Sequence, residues 1–351
     1  MNEEAITKKE KIHYLSVLKC LGMFAVIFIH IFRMSFSYFN QYYSNLQTFI
    51  SYFITNFFNA WAVPIFIMVS GSLFLEKARE IPIKKLYSKY ILRLILVLLL
   101  FGTVFAMMER FFSTRHFEFM MVPLSILDVF SGNVWSHFWY IYMLIGLYII
   151  TPPLKIFINN SDDRNIKYTL LILLCFNCFI PFINNITGLK CGFYIPVSGI
   201  WLFYYILGYA IRFSVIEISN IFSALAILIG GLWCVIGQFL PDMTIASTTT
   251  LKYCQTNDII AVFMSVGIFS LAKNRCKTDS NYIDTFINPI SFGVYIIHMF
   301  FINFMIKFMH FTPEYHNVYI VLLVLSIVTI CGSIILVWIL RKIPLIRKYV
   351  L

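Results

Sequence analysis

Charge is what this sequence has least of. Only 12% of its 351 residues are charged, against about 25% in an ordinary soluble domain. So few cannot cover a water-exposed surface, which excludes a soluble enzyme. No segment has the length and polarity of a separate globular domain, and no internal repeat is visible. The H-x-x-x-H spacing of a helical metal site is missing. The single C-x-x-C, Cys175 and Cys178, lies in the apolar run LLILLCFNCFI with no second ligand pair beside it. The other cysteines are scattered, mostly inside apolar runs, where the thiol behaves as a small hydrophobe. A bridge between Cys191 and Cys254, both near an outer face, remains open. No metal site is expected.

Apolar and aromatic residues are what the chain has in plenty. They include 37 Phe, 21 Tyr and 6 Trp, and the apolar share is 60%, with a mean hydropathy of +0.83. A bilayer core about 30 Å thick takes about 20 apolar residues of helix. That ruler gives ten spans, at about 14–36, 48–75, 90–108, 137–158, 167–185, 197–213, 219–239, 257–272, 288–309 and 317–340. The expected fold class is all-α, a polytopic transmembrane helical bundle of about ten spans. It forms a single domain over 1–351, with tails at 1–13 and 341–351. The first span is too long for a signal peptide and lacks a small-x-small cleavage site, so it is expected to stay. The longest outer stretch, about 109–136, contains FMMVPLSILDVF, an apolar run suited to the interface or to a dip into the membrane.

The net charge of +11 suggests a polyanion such as nucleic acid, but the placement of the charges points elsewhere. Of the 27 basic residues, 21 fall in the tails, in alternate connections, or at span ends on the same side. Only Arg33, Arg110, Arg115, Lys190, Lys252 and Lys307 fall on the other. Lysine and arginine mark the cytoplasmic side, so both termini are expected there. The lipid bilayer, not nucleic acid, is the partner that this pattern implies.

Ionisable groups inside spans are costly and mark function by default. The first span holds two, Lys19 and His30, in LKCLGMFAVIFIH. Eleven helical residues rise about 16 Å and return to within about 20° of the starting direction, so both side chains leave one face. The bland alternative is a lysine snorkelling to the interface and a histidine bonded to a backbone carbonyl. Two further imidazoles weigh against it. His298 lies near mid-membrane in SFGVYIIHMFF, and His137 opens the fourth span. Three imidazoles at neighbouring depths suit proton transfer near neutral pH.

Other candidates are less sharp. Lys84, Lys85, Lys89 and Arg93 stand where the third span begins, and spacing of four puts the last three on one stripe. They anchor the helix or, with Lys19, form a basic mouth for a phosphate-rich ligand such as an acyl-coenzyme A. Pro64 and Ser70-Gly71 in VPIFIMVSGSLFL allow either close helix approach or a break lining a cavity. Glu109 and Asp258, at outer span ends, orient a histidine or are solvated end groups.

The blocks YLSVLKCLGMFAVIFIH, VPIFIMVSGSLFL, KYILRLILV, HFWYIYMLIGLYIITPPLK, WLFYYILGYAIRF and SFGVYIIHMFF follow one another in an order that resembles the acyltransferase-3 superfamily of integral membrane acyltransferases. The layout is similar to its short members, which carry no appended extracytoplasmic domain. That resemblance implies acyl transfer, most simply acetyl, from cytoplasmic acyl-coenzyme A to a hydroxyl of an extracytoplasmic or lipid-linked glycan, in a bacterial cytoplasmic membrane. A basic residue, ten residues and a histidine form the family's central motif, and Lys19 and His30 occupy those places. The family usually has arginine where Lys19 stands, and often aspartate where Ser16 stands.

On this reading no cofactor is tightly bound, and acyl-coenzyme A is the donor. His30 is the expected base, with His298 and His137 beside it. Lys19, Lys89, Arg93 and Lys85 are expected to hold the donor. Trp139, Tyr140, Tyr142, Tyr295 and Glu109 are expected to meet the acceptor. The rival function is a transporter or flippase of lipid-linked sugars or polysaccharide, and a non-catalytic scaffold gives no reason for three intramembrane histidines.

Overall fold

The computed structural model describes residues 12–188, 191–195, 199–239, 254–277 and 282–350. Lys8, Lys9, Lys11, Lys190 and Lys252 of the charge pattern lie outside them. Every element among the described residues is helical, as the lack of charge requires, because a helix satisfies its own backbone in lipid. In chain order the helices are α1 (His13–Tyr42), α2 (Asn45–Phe74), α3 (Ile83–Thr114) and the short α4 (Met121–Ser131). Then come α5 (Ser136–Ile149), α6 (Thr151–Asn160), α7 (Asp163–Asn185) and α8 (Ile200–Arg212). The chain continues with α9 (Asn220–Phe239), α10 (Ile259–Arg275), α11 (Ile283–Phe308), α12 (Val318–Leu340) and α13 (Pro344–Tyr349).

Among the described residues, seven helices are long and apolar enough to cross a membrane, or eight where the α5–α6 pair, bent by 50°, counts as one broken span. The other two expected spans are helical but short, α8 with 13 residues and α10 with 17. The protein is thus a multi-pass membrane protein. The fourth expected span is broken rather than straight. Pro152 and Pro153 follow Ile150, and neither can donate to the preceding turn. The Thr151 hydroxyl turns back into the preceding turn and donates to the Leu147 carbonyl at 2.8 Å. The run FMMVPLSILDVF forms α4, packed on α3 and tied to it by the ion pair of Arg110 with Asp128 at 2.5 Å.

Of the seven long helices, α1, α2 and α11 are the most buried and form the centre, with α7, α9 and α12 at the rim. The rim exposes Leu171, Ile221, Leu228, Leu323, Ile327 and Trp338, side chains fit to face lipid. Helix α2 runs unbroken through Pro64. Proline leaves the Ala60 carbonyl without its helical donor, and the Ser265 hydroxyl of α10 lies 3.5 Å from it. Gly71 makes a close helix crossing. A Cβ there would lie 1.8 Å from the Tyr205 carbonyl oxygen of α8, and one on Gly208 would lie 2.0 Å from that of Met68. Only glycine permits two backbones to touch in this way.

Helix α3 contains two π-helical turns, at Leu86–Ile91 and Leu98–Gly102, wide turns that often accompany functional sites. Cys254 packs against Cys234, sulfur to sulfur at 3.2 Å, rather than against Cys191, which is exposed. The Cys191–Cys254 pairing is therefore not formed: both are free thiols, Cys254 buried beside Cys234 and Cys191 exposed.

Candidate active site

Two cavities enter the bundle from opposite ends. The one at the basic end, of about 370 Å3, is lined by Lys19 of α1, Phe66 and Ser70 of α2, Tyr90 and Arg93 of α3, Tyr140 and Tyr148 of α5, and Asn288, Phe292 and Tyr295 of α11. The one at the far end, of about 770 Å3, is lined by His30 and Arg33 of α1, Glu109 and Arg110 of α3, and Asp128 of α4. Trp135, Trp139 of α5, and Asn303 and Lys307 of α11 complete it. Helices α1, α3, α5 and α11 line both, at opposite ends of each, whereas α2 lines only the smaller cavity and α4 only the larger. Lys19 and His30 thus open onto different cavities from one helix, as their spacing requires.

The three imidazoles meet at the inner limit of the larger cavity. Ring centroids lie 5.2 Å apart for His30 and His298, 5.3 Å for His137 and His298, and 6.4 Å for His30 and His137. His137 and His298 are buried, whereas His30 lines the cavity. Their hydrogen bonds fix their tautomers. His298 Nδ1 lies 2.6 Å from the Tyr295 carbonyl, and His137 Nε2 lies 3.1 Å from the Ile296 carbonyl. A carbonyl oxygen only accepts, so in each ring that nitrogen carries the proton. His298 Nε2 and His137 Nδ1 are left as buried ring nitrogens without a partner. Two proton acceptors therefore stand unoccupied beside His30.

An aromatic layer separates the histidines from the smaller cavity. Phe66, Tyr140 and Tyr295 have ring centroids 5.3 to 6.2 Å apart. Tyr295 donates to the His137 carbonyl at 2.6 Å and its ring lies 5.8 Å from that of His298. Gly22, between Lys19 and His30, makes room for the Phe66 ring. A Cβ on Gly22 would approach that ring to 3.0 Å.

The smaller cavity is basic without acidic lining. Lys19 is half-buried in it, with no carboxylate partner among the described residues. Arg93 Nε donates to the Val350 carbonyl at 3.0 Å, and its guanidinium lies 5.5 Å from the Phe292 ring centroid. Only Arg93 of the expected basic stripe reaches the cavity. Lys85 and Lys89 are exposed and absent from its lining. The spacing of four assumed an ideal helix, and the π-helical turn at Leu86–Ile91 breaks that regular step. Near Ser16, Asp284 of α11 pairs with His13 at 2.8 Å. Ser16 accepts from Asn288 at 3.0 Å.

The expected acceptor residues divide. Trp139 lines the larger cavity and packs against Trp201, centroids 5.2 Å apart. Tyr140 and Tyr295 line the smaller cavity as members of the aromatic layer itself, so neither faces the larger cavity. Tyr142 lines neither; its hydroxyl donates to the Val129 carbonyl. Glu109 lines the larger cavity but orients no histidine. Lys307 holds both its oxygens, at 2.7 and 2.8 Å, and Trp135 Nε1 donates to it at 2.9 Å. Asp258 accepts from the Gln255 backbone at 2.6 Å and lines neither cavity.

Sequence reading did not single out Phe66, Trp135 or Asn303. For Asn303 a signal was present, since Met299, Asn303 and Lys307 recur every fourth residue within an apolar helix. Phe66 carried none, because its place depends on a glycine in another helix.

A helical membrane protein with imidazoles between two opposed cavities can move a proton, and with it a group, at mid-depth. The family model of the acyltransferase domain, Acyl_transf_3, matches residues 12–340. The chain therefore belongs to the acyltransferase-3 family and is a membrane acyltransferase. No curated protein and no solved structure shows significant similarity to it.

Proposed function

We propose that the protein transfers an acyl group, acetyl first, from coenzyme A to a hydroxyl of a cell-surface or lipid-linked glycan. The donor would enter at the Lys19 end, cytoplasmic by the positive-inside rule, and the acceptor at the far end, in a bacterial cytoplasmic membrane. The observation that best supports this reading is the pair of cavities converging on one histidine cluster with a single aromatic layer between them.

Lys19 and Arg93 would receive the donor's phosphates as charge-assisted hydrogen-bond donors. His30 would take the proton of the acceptor hydroxyl as its oxygen attacks the thioester carbonyl. The carbon–sulfur bond then breaks, and coenzyme A leaves as a thiolate that takes up the proton His30 removed from the hydroxyl. The bare nitrogens of His298 and His137 give the proton on His30 somewhere to go. Transport of lipid-linked sugars or polysaccharide, the rival function, gains no supporting feature from the fold.

The test is His30→Ala, followed by acyl transfer from labelled acetyl-coenzyme A to membrane glycans. Loss of a positioned general base costs about 10²- to 10⁴-fold in rate. A well-inserted variant that still acylates at the normal rate would remove His30 from the chemistry.

A further inference from the structure

The larger cavity holds three cations, Arg33, Arg110 and Lys307, and two carboxylates, Glu109 and Asp128. Both carboxylates are engaged, Glu109 by Lys307 and Asp128 by Arg110. Arg33 is left exposed in the cavity with no carboxylate partner among the described residues. It stands three residues beyond His30, and such helical neighbours lie roughly 5–6 Å apart at Cβ. A second group also awaits a ligand. Asn303 is 1% exposed and lines the cavity. Its Nδ2 donates to the Met299 carbonyl, and its Oδ1 has no partner. Trp139, 43% exposed, offers a flat apolar face at the same cavity.

Resting on the acyl-transfer reading above, we propose that the acceptor is an anionic sugar, with a carboxylate or phosphate placed about one ring's width from the hydroxyl that is acylated. Arg33 binds the anion, in the forked geometry that guanidinium offers to oxyanions. Asn303 Oδ1 accepts from a sugar hydroxyl, and Trp139 packs against the sugar's apolar face. A neutral sugar leaves Arg33 unanswered.

The experiment is equilibrium binding to the full chain in lipid nanodiscs, without donor, of methyl glucoside, methyl glucuronide and glucose 1-phosphate. Binding at least tenfold tighter for either anion than for the glucoside is expected, and which anion prevails separates carboxylate from phosphate. Arg33→Gln should bring that ratio to within about twofold, and Arg33→Lys should keep part of it. Equal binding of all three probes, or a preference unchanged in Arg33→Gln, overturns the proposal. The readout needs no acyl transfer, so failure here is distinct from failure of labelled acetyl-coenzyme A to acylate any glycan.

Discussion

The two cavities differ in how their charge is answered. At the basic end Arg93 meets a backbone carbonyl and an aromatic ring, and no carboxylate lines the cavity that it shares with Lys19. At the far end each carboxylate is matched by a cation, and one arginine is left over. A cavity with unanswered cations suits a polyanion such as the phosphates of coenzyme A. One that is nearly balanced suits a polyhydroxyl ligand with at most a single charge. Helices α1, α3, α5 and α11 line both ends, so a few side chains per helix, rather than separate domains, make most of the difference.

The strongest way to break this comparison is to remove what stands between the cavities. His298 is buried, with its Nδ1 proton committed to the Tyr295 carbonyl and Nε2 bare. If it carries the proton onward from His30, His298→Ala should lower kcat by about 10²-fold, in the range for a lost acid–base group. The acceptor KM should change little. Steady-state kinetics with varied acceptor checks this, and an equal change in both parameters would make His298 a packing residue.

Next in size is the donor end. Lys19→Gln and Arg93→Gln each delete a charge-assisted contact worth about 1.5–3 kcal/mol. Each should raise the donor KM roughly tenfold or more by that figure, with the acceptor KM unchanged. Lys19→Arg should be tolerated or bind the donor more tightly, because arginine adds a bidentate fork. Lys85→Gln and Lys89→Gln, outside the cavity, should leave both constants near normal. Titration with acetyl-coenzyme A reads all five, and a weaker effect at Arg93 than at Lys89 would reverse the placement.

These contrasts also show how much was legible in the sequence. Each of the ten apolar runs read from hydropathy falls on helix, because such a run has few other solutions in lipid, although α8 and α10 are short of a full span. The meeting of His30, His137 and His298 was legible too, since depth along a span is a count of residues. What escaped was lateral. Whether Lys89 or Arg93 turns inward depends on π-helical turns that no spacing rule records. The bend at Ile150 was signalled by Pro152 and Pro153, yet hydropathy runs straight through it. The Glu109–Lys307 pair joins residues 198 apart in sequence, and no local pattern in a single sequence reveals such a partner.

A smaller effect is expected at the aromatic layer. Phe66 rests over Gly22, where a Cβ would come within 3.0 Å of the ring. Gly22→Ala must push that ring by a few tenths of an ångström and should alter turnover a few-fold without changing either substrate's binding. Phe66→Ala should open the layer. Coenzyme A thioesters with longer acyl groups should then gain on acetyl in kcat/KM, a ratio that an uninvolved ring would leave fixed.

The smallest effect tests the balance at the far end. Glu109→Gln removes the partner of Lys307, but Glu109 and Lys307 are 43% and 24% exposed at the side chain. Partly solvated pairs contribute only about 0–1 kcal/mol, so Tm should hardly move. The electrostatic consequence is larger than the energetic one. Freeing Lys307 leaves the cavity with two unanswered cations, Lys307 and Arg33, on facing helices. Tighter binding of an anionic acceptor, lost again at high salt as screening of partly exposed charges requires, is therefore expected. Unchanged acceptor binding in Glu109→Gln would mean that the charge balance of this cavity concerns its own stability and not its ligand.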